Sequence, residues 1–134
     1  MYDRQFLYLE DERPKSWNTY WAGTHWRKRK AERDRVHMVV REAIDPNSIE
    51  MFTAPIDITI IAYFDTTGNK KQMDSSNIAS KPYIDALIGW YIEDDSPDYV
   101  RRVSTESMVD NSRPGVFIIM SAIRSETCVH QETN

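Results

Sequence analysis

The chain has 134 residues, of which 40% are hydrophobic and 28% charged, so it can form one domain with a core and is too apolar to be disordered. It has no apolar run near the roughly 20 residues of a membrane span and no recognisable secretory signal. Its single cysteine, Cys128, excludes an internal disulfide. Together these features predict a cytoplasmic protein without a membrane partner. The formal net charge is −4, but residues 13–41 carry nine basic and two acidic side chains, so a positive face for a polyanion is still possible.

The first half of the chain is predicted to form a strand, a loop and a helix. Gln5–Glu10 alternates weakly between polar and apolar residues, as a strand does, and the turn-forming and aromatic residues 11–24 are predicted to be a loop. From about His25 to Ile44 apolar residues recur at helical spacing. These residues are Val36, Val39, Val40 and Ala43. Thr24 is a candidate N-cap, and the helix is predicted to end at Asp45–Ser48.

The second half is predicted to contain three strands and one helix. Every second residue from Ile56 to Phe64 is apolar, which predicts a strand, and Gly68 and Asn69 are predicted at the tip of the following turn. A helix near residues 78–91, a polar edge strand over 98–109 and an apolar central strand over 115–123 follow. The tail, residues 124–134, is predicted to fray. The order β-α-β-α-β-β predicts a single α+β domain over residues 1–134, a mixed sheet with two main helices packed on it.

Residues 73–100 carry a polar pattern that packing does not require. Its members are Asp74, Asn77, Lys81, Asp85, Asp94 and Asp95. Carboxylates on loops, without a set of His or Cys ligands, suit a hard cation such as Mg²⁺. Such a cation activates water and stabilises charge on a phosphate undergoing attack, and a nearby lysine adds a positive charge. Asp74, Asp95, Lys81 and Asp94 are the candidates for these roles.

A structural interpretation of the same residues is also open. Ser76 and Asn77 could cap a helix, Lys81 and Asp85 could form a surface pair at i, i+4, and residues 93–97 could be an ordinary acidic turn. The ends of a straight helix of about fourteen residues also lie roughly 20 Å apart. Carboxylates at its two ends can share one metal only if the neighbouring strands, or a dimer, bring them together.

The order and spacing of these residues resemble the RusA family of Holliday junction resolvases. The matching residues are Asp74-Ser75-Ser76-Asn77, Lys81, Asp85-Ala86-Leu87, Asp94-Asp95-Ser96 and Val100. With the aromatic and basic segment upstream, the likeness covers residues 18–103. The resemblance implies a RusA-like fold and a Mg²⁺-dependent endonuclease that works as a homodimer. It also implies that four-way DNA junctions are resolved by paired symmetric nicks.

Carried over by position, the resemblance makes Asp74 and Asp95 metal-binding catalytic carboxylates and Lys81 the essential lysine. Asn77 matches a positioning residue, and Asp94 matches the first member of the Asp pair, a further candidate metal ligand. The sequence departs from the family pattern at Ser76, where a second Asp is usual. A catalytically weakened DNA-binding protein of the same fold, or a Mg²⁺-dependent nuclease without junction preference, therefore remains an alternative. A second departure, Pro82, favours a helix that begins nearer Ser80.

The segment Trp26–Arg35 carries six basic and two acidic residues. It is either a solvated helix face or a surface that contacts DNA phosphates independently of base sequence. The candidate DNA-binding residues are Arg27, Lys28, Arg29, Lys30 and Arg33. The neighbouring aromatic residues could stack on opened bases at a junction or pack in a core or dimer interface. They are Trp17, Tyr20, Trp21 and Trp26.

Overall fold

The computed structural model describes residues 3–21 and 26–122. It contains strands β1 (Arg4–Glu10), β2 (Ile56–Phe64), β3 (Val100–Val109) and β4 (Gly115–Ala122). The helices are α1 (Trp17–Tyr20), α2 (Trp26–Ala43) and α3 (Lys81–Leu87), with a 3₁₀ turn at Ser75–Asn77. The predicted class is confirmed, because the protein is a small α+β fold with one mixed sheet and two main helices.

The sheet has the strand order β1-β4-β2-β3. β4 pairs antiparallel with both β1 and β2, whereas β2 and β3 are parallel. The apolar strand β4 therefore lies inside the sheet and the polar strand β3 lies at an edge, as the sequence predicts. Because parallel neighbours need a crossover connection, the 65–99 segment has to travel back along the sheet between β2 and β3. That crossover carries the candidate catalytic residues.

The core lies between the sheet and the two main helices. The residues of β2 at alternate positions from Ile56 to Phe64 are buried, which confirms the predicted face of this strand. From α2, Val36 and Val40 are fully buried. The predicted stripe is wrong at its end, where Ala43 is exposed and the next residue, Ile44, fills the core instead.

Two predicted boundaries are wrong. Residues 11–24 were expected to form only a loop, but the single-turn helix α1 forms within them, with Ser16 Oγ accepting a hydrogen bond from Thr19 N at 3.1 Å. The helix predicted near residues 78–91 is shorter in the structure, where α3 has only seven residues, Lys81–Leu87. Ser80 precedes its first turn, as the proline position predicts. At the other end Gly89 has φ +90, a conformation that a continuing α-helix does not use, so the chain turns there.

A partly buried ionic network joins α2, α3 and the segment after β1. Arg35 donates to both carboxylate oxygens of Glu12, at 2.9 and 2.8 Å, and Tyr83 Oη donates to Glu12 at 2.5 Å. Arg35 also pairs with Glu32 at 2.9 Å. Burial, reinforced by the charge of Glu12, raises the pKa of Tyr83 well above its usual range, so the hydroxyl remains protonated and donates. The network fixes α3 relative to the basic helix α2.

The predicted helix cap at Thr24 and the predicted fraying of residues 124–134 lie outside the described residues, as does Cys128. Within the described ranges, no helix is both long and apolar enough to cross a membrane.

Candidate active site and its basic surroundings

Lys81 lies at the centre of the candidate site. As the first residue of α3, it places its ammonium group 3.2 Å from Asp85 Oδ1 and 3.4 Å from Asp95 Oδ2. The Asp85 contact is the i, i+4 pair of a helix surface, whereas Asp95 comes from the loop that precedes β3. The structure therefore brings together two predicted catalytic residues, Lys81 and Asp95, and adds Asp85 to them.

The shortness of α3 explains this meeting. Seven residues of helix extend only about 10 Å, half the distance expected for the longer predicted helix. Beyond α3, Gly89 N donates to Ile92 O at 2.7 Å and closes a tight turn. The chain then runs back toward the start of α3, so Asp95 reaches Lys81 within one subunit. Neither a partner subunit nor a neighbouring strand is needed to bring these two residues together.

Two opposing effects act on the protonation of Lys81. Partial burial lowers its pKa, but the hydrogen bonds and negative charges of Asp85 and Asp95 together outweigh burial and leave the pKa above its ordinary value. The ammonium form is therefore secured at neutral pH. Its side chain is 45% exposed, so an incoming phosphate can reach it.

Asp74 stands at the start of the 3₁₀ turn, where it is exposed and makes no side-chain capping bond. Its segment is fastened to β3 by Thr105, whose hydroxyl donates to Ser75 O at 2.7 Å, and by Ser107, whose hydroxyl donates to Met73 O at 2.5 Å. Asp74 lines a groove of about 450 Å³ between this segment and β3. Side-chain hydroxyls on the edge strand thus hold the first motif carboxylate at the surface.

Ser76, Asn77 and Asp94 are also exposed. Asn77 closes the 3₁₀ turn by donating its backbone N–H to Asp74 O at 2.9 Å, which ties it to the motif carboxylate through the main chain. Asp94 lies next to Asp95. The pKa of Tyr99 is raised, mainly because its hydroxyl donates a hydrogen bond to Glu93, and the negative charge of Asp94 contributes to this shift. The positioning role of Asn77 and the ligand role of Asp94 stay predictions.

The number and spacing of the carboxylates determine whether the candidate site can hold Mg²⁺. Among residues 3–21 and 26–122, no three or more His, Cys, Asp or Glu side chains lie close enough together to hold a metal ion. Asp74, Asp94 and Asp95 therefore do not form such a set in this conformation. Mg²⁺ in phosphoryl-transfer sites, however, is commonly held by only one or two carboxylates, completed by water and substrate phosphate. Asp85 and Asp95 meet this smaller requirement, because both already face one cation, the ammonium group of Lys81.

The predicted DNA-binding residues occupy the first half of α2. Arg27, Lys28, Lys30 and Arg33 are exposed, and Arg29 is partly buried. Asp34 moderates this positive surface, since it accepts a hydrogen bond from Lys30 at 2.7 Å and lies 3.8 Å from Arg33. Cationic side chains still outnumber acidic ones along this half of the helix.

The aromatic helix α1 connects the basic surface to the candidate site, which the sequence did not predict. Ser16 forms a β-bridge with Ile78, and Lys15 O accepts from Ala79 N at 2.9 Å, so α1 is attached to the segment just before Lys81. The pKa of Tyr20 is raised, mainly by burial and next by the negative charge of Asp85. The positive charges of three residues oppose this increase, namely Lys81, Arg33 and Arg29. Tyr20 is thus in electrostatic range of both the candidate site and α2. The long-range bridge leaves no local sequence signal, so only the fold shows it.

No protein-family model matches the chain, and no curated protein is significantly similar to it.

Proposed function

We propose that this protein is a Mg²⁺-dependent endonuclease selective for branched DNA, which resolves four-way junctions by paired symmetric nicks. The observation that carries the proposal is the convergence of Asp95 and Asp85 on Lys81, beside a basic helix. These three residues, which are separated in the sequence, lie together at the surface, and a polyanion can approach them along α2. The resemblance to the RusA family supplies the preference for four-way junctions.

Each residue of the candidate site has a proposed role that follows from its chemistry. Bound Mg²⁺ would supply an activated water and neutralise charge at the scissile phosphate. Asp95 and Asp85, which already face one cation, would hold it, with Asp74 and Asp94 as the further ligands that the resemblance implies. Asp85 is the proposed substitute for the carboxylate that Ser76 lacks, because it faces the same ammonium group as Asp95. The ammonium of Lys81 would contact a phosphate oxygen and stabilise negative charge as it develops. The basic residues of α2 would hold the flanking phosphates without reading sequence.

The proposal includes a homodimer and a cytoplasmic location. Two symmetric nicks on one junction require two active sites in a fixed mutual orientation, and each chain contains one candidate site. A two-fold dimer is the simplest arrangement that provides both. Sedimentation equilibrium of the pure protein measures the assembly directly, and a monomer at every concentration used for cutting would contradict it.

The decisive experiment uses a synthetic four-way junction labelled on one strand at a time. With Mg²⁺ we expect nicks at symmetric positions in two opposing strands, and with Ca²⁺ binding without nicks. A linear duplex of the same sequence tests selectivity. Asp95→Asn, compared with the matched variant Asp98→Asn in the same loop, links cutting to this site. Absence of cutting with Mg²⁺ or Mn²⁺ would refute the nuclease proposal.

The second candidate is a protein that binds branched DNA without cutting it. Ser76 favours this function, because an exposed hydroxyl stands where the family usually supplies a carboxylate. The pairing of Asp95 with Lys81 also means that a metal would have to compete with an internal cation. Tight junction binding that persists with Mg²⁺ and leaves the DNA intact would establish this alternative.

A further inference from the structure

An aromatic cluster with basic neighbours lies beside the candidate site, at the junction of α1 and α2. The rings of Trp17 and Trp21 are nearly parallel, with centroids 6.4 Å apart and an interplanar angle of 10°. Tyr20 meets Trp21 edge-on at 5.1 Å. The guanidinium group of Arg29 lies over the Trp21 ring, 5.3 Å from its centroid. These contacts hold a set of flat π surfaces in one place.

Trp21 is 48% exposed despite these contacts. Tyr20, by contrast, is buried and anchors the cluster to the domain. Exposing so much of a large aromatic ring forgoes hydrophobic stabilisation, and an exposed ring beside cations can stack on a flat, negatively charged ligand. The Trp21 ring is therefore both held in orientation and accessible.

A cavity of about 310 Å³ adjoins the cluster. Its walls include Tyr20 and four basic residues against one acidic residue, Glu32. The basic residues are Lys15, Lys28, Arg29 and Arg35, of which Arg35 is already paired with Glu12 and Glu32. A flat ring system joined to a negatively charged phosphate matches this combination, since the ring can stack while the cations neutralise the phosphate. An acidic peptide would satisfy the charges but leave the exposed ring without a planar partner.

We propose that α1 and the first turns of α2 form a stacking site for an unpaired base of DNA, with Trp21 as the platform and Lys15, Lys28 and Arg29 contacting the adjoining phosphates. The attachment of residues 15–16 to residues 78–79 ties this stacking site to the segment that leads into Lys81. The inference rests on the DNA-binding part of the proposed function and is independent of cutting. It identifies opened bases at a branch point as the feature that distinguishes the substrate from continuous duplex.

The test measures binding in EDTA, where metal-dependent cutting does not occur. The probes are a fluorescent thymidine oligonucleotide and a hairpin of equal length with its stem fully paired. We expect Trp21→Ala to weaken binding of the oligonucleotide by roughly fivefold to a hundredfold, in line with the loss of one base–aromatic stack. Trp21→Phe, which keeps an aromatic platform, should retain most of the affinity. Met38→Ala is the control, because Met38 is also exposed, at 63%, but lies in the second half of α2 and lines a different cavity.

A second variant distinguishes a local loss of binding from a general loss of folding. Lys28→Gln should reduce the slope of log affinity against log salt by about 0.7 for the single strand, with an unchanged thermal unfolding temperature. Unaltered oligonucleotide binding by Trp21→Ala would overturn the inference. So would equal affinity of the wild type for the fully paired hairpin, or equally strong competition by polyglutamate, which would indicate an acidic peptide. A protein that never cuts junctions but loses oligonucleotide binding with Trp21→Ala would refute the nuclease proposal and leave the stacking site intact.

Discussion

The ammonium group of Lys81 lies 3.4 Å from the carboxylate of Asp95, although 14 residues separate them in the chain. The contact exists because α3 ends after two turns and the chain folds back through Gly89 before β3 begins. Lys81 and Asp95, from the middle and the end of the motif, therefore meet inside one subunit.

Replacing either motif carboxylate should abolish cutting and preserve binding. Asp74→Asn and Asp95→Asn remove proposed metal ligands but leave the phosphate contacts of α2 in place. Junction affinity in Ca²⁺ should therefore change less than threefold, which corresponds to about 0.6 kcal/mol of binding free energy. Cleavage of the labelled junction and gel-shift binding measure the two effects separately. Normal cutting by one variant would remove that residue from the site, and Asp98→Asn should cut like the wild type.

Asp85→Asn should lower the cutting rate and also shift its pH dependence. The carboxylates raise the pKa of Lys81 against the lowering effect of burial, so removing Asp85 should bring that pKa down. Because the ammonium is needed in its charged form, the alkaline decline of the cutting rate should begin at lower pH in the variant. Rates between about pH 8 and 11 cover the range of lysine titration. A profile identical to that of the wild type would show that Lys81 titration does not control the rate.

Ser76→Asp should raise cutting at limiting Mg²⁺ and leave it unchanged at saturating Mg²⁺. Ser76 is exposed two residues after Asp74, so a new carboxylate there can add negative charge to the metal's surroundings. A Mg²⁺ titration of cleavage compares the two proteins. If the variant instead needs more Mg²⁺, the added charge only repels Asp74, and Ser76 does not occupy a vacant ligand position.

Glu12→Gln should destabilise the fold by about 2 kcal/mol. A fully buried ion pair broken at one partner costs about 3–5 kcal/mol, but here Arg35 is 40% exposed and keeps its bond to Glu32, so the cost is smaller. Tyr83→Phe, which loses a single hydrogen bond to Glu12, should cost about 1 kcal/mol. Urea unfolding followed by tryptophan fluorescence measures both variants. Wild-type stability of Glu12→Gln would show that the network contributes no net stability.

Neutralising Arg27, Lys28 and Lys30 together with glutamine should weaken junction binding and flatten its dependence on salt. Each lost phosphate contact removes about 0.9 from the slope of log affinity against log salt. Lys30 already pairs with Asp34, so its share should be the smallest of the three. The matched control neutralises three exposed cations outside α2, Arg4, Arg102 and Arg113. Equal slopes for the two triple variants would place the DNA contact outside α2.

Patterns with a short period were predictable from the sequence. The alternation from Ile56 to Phe64 and the valines of α2 report burial on one face, because a strand repeats every two residues and a helix every 3.6. The polar character of β3 and the apolar character of β4 likewise indicated an edge and an interior position. Pro82 marked the start of α3, since proline restricts the residue before it. These signals are local and act through neighbouring residues in the chain.

What the sequence by itself determined was therefore the class of fold, most strands and the residues that make up the motif. Only the tertiary structure decided that α3 stops at Leu87, that Asp95 returns to Lys81 and that the aromatic helix α1 is tied to the motif through Ser16 and Ile78. A four-residue helix offers too few residues for a periodic signal, and contacts between distant segments depend on how the crossover packs on the sheet. Such contacts are set by the packing of the whole domain, which no short window of residues contains.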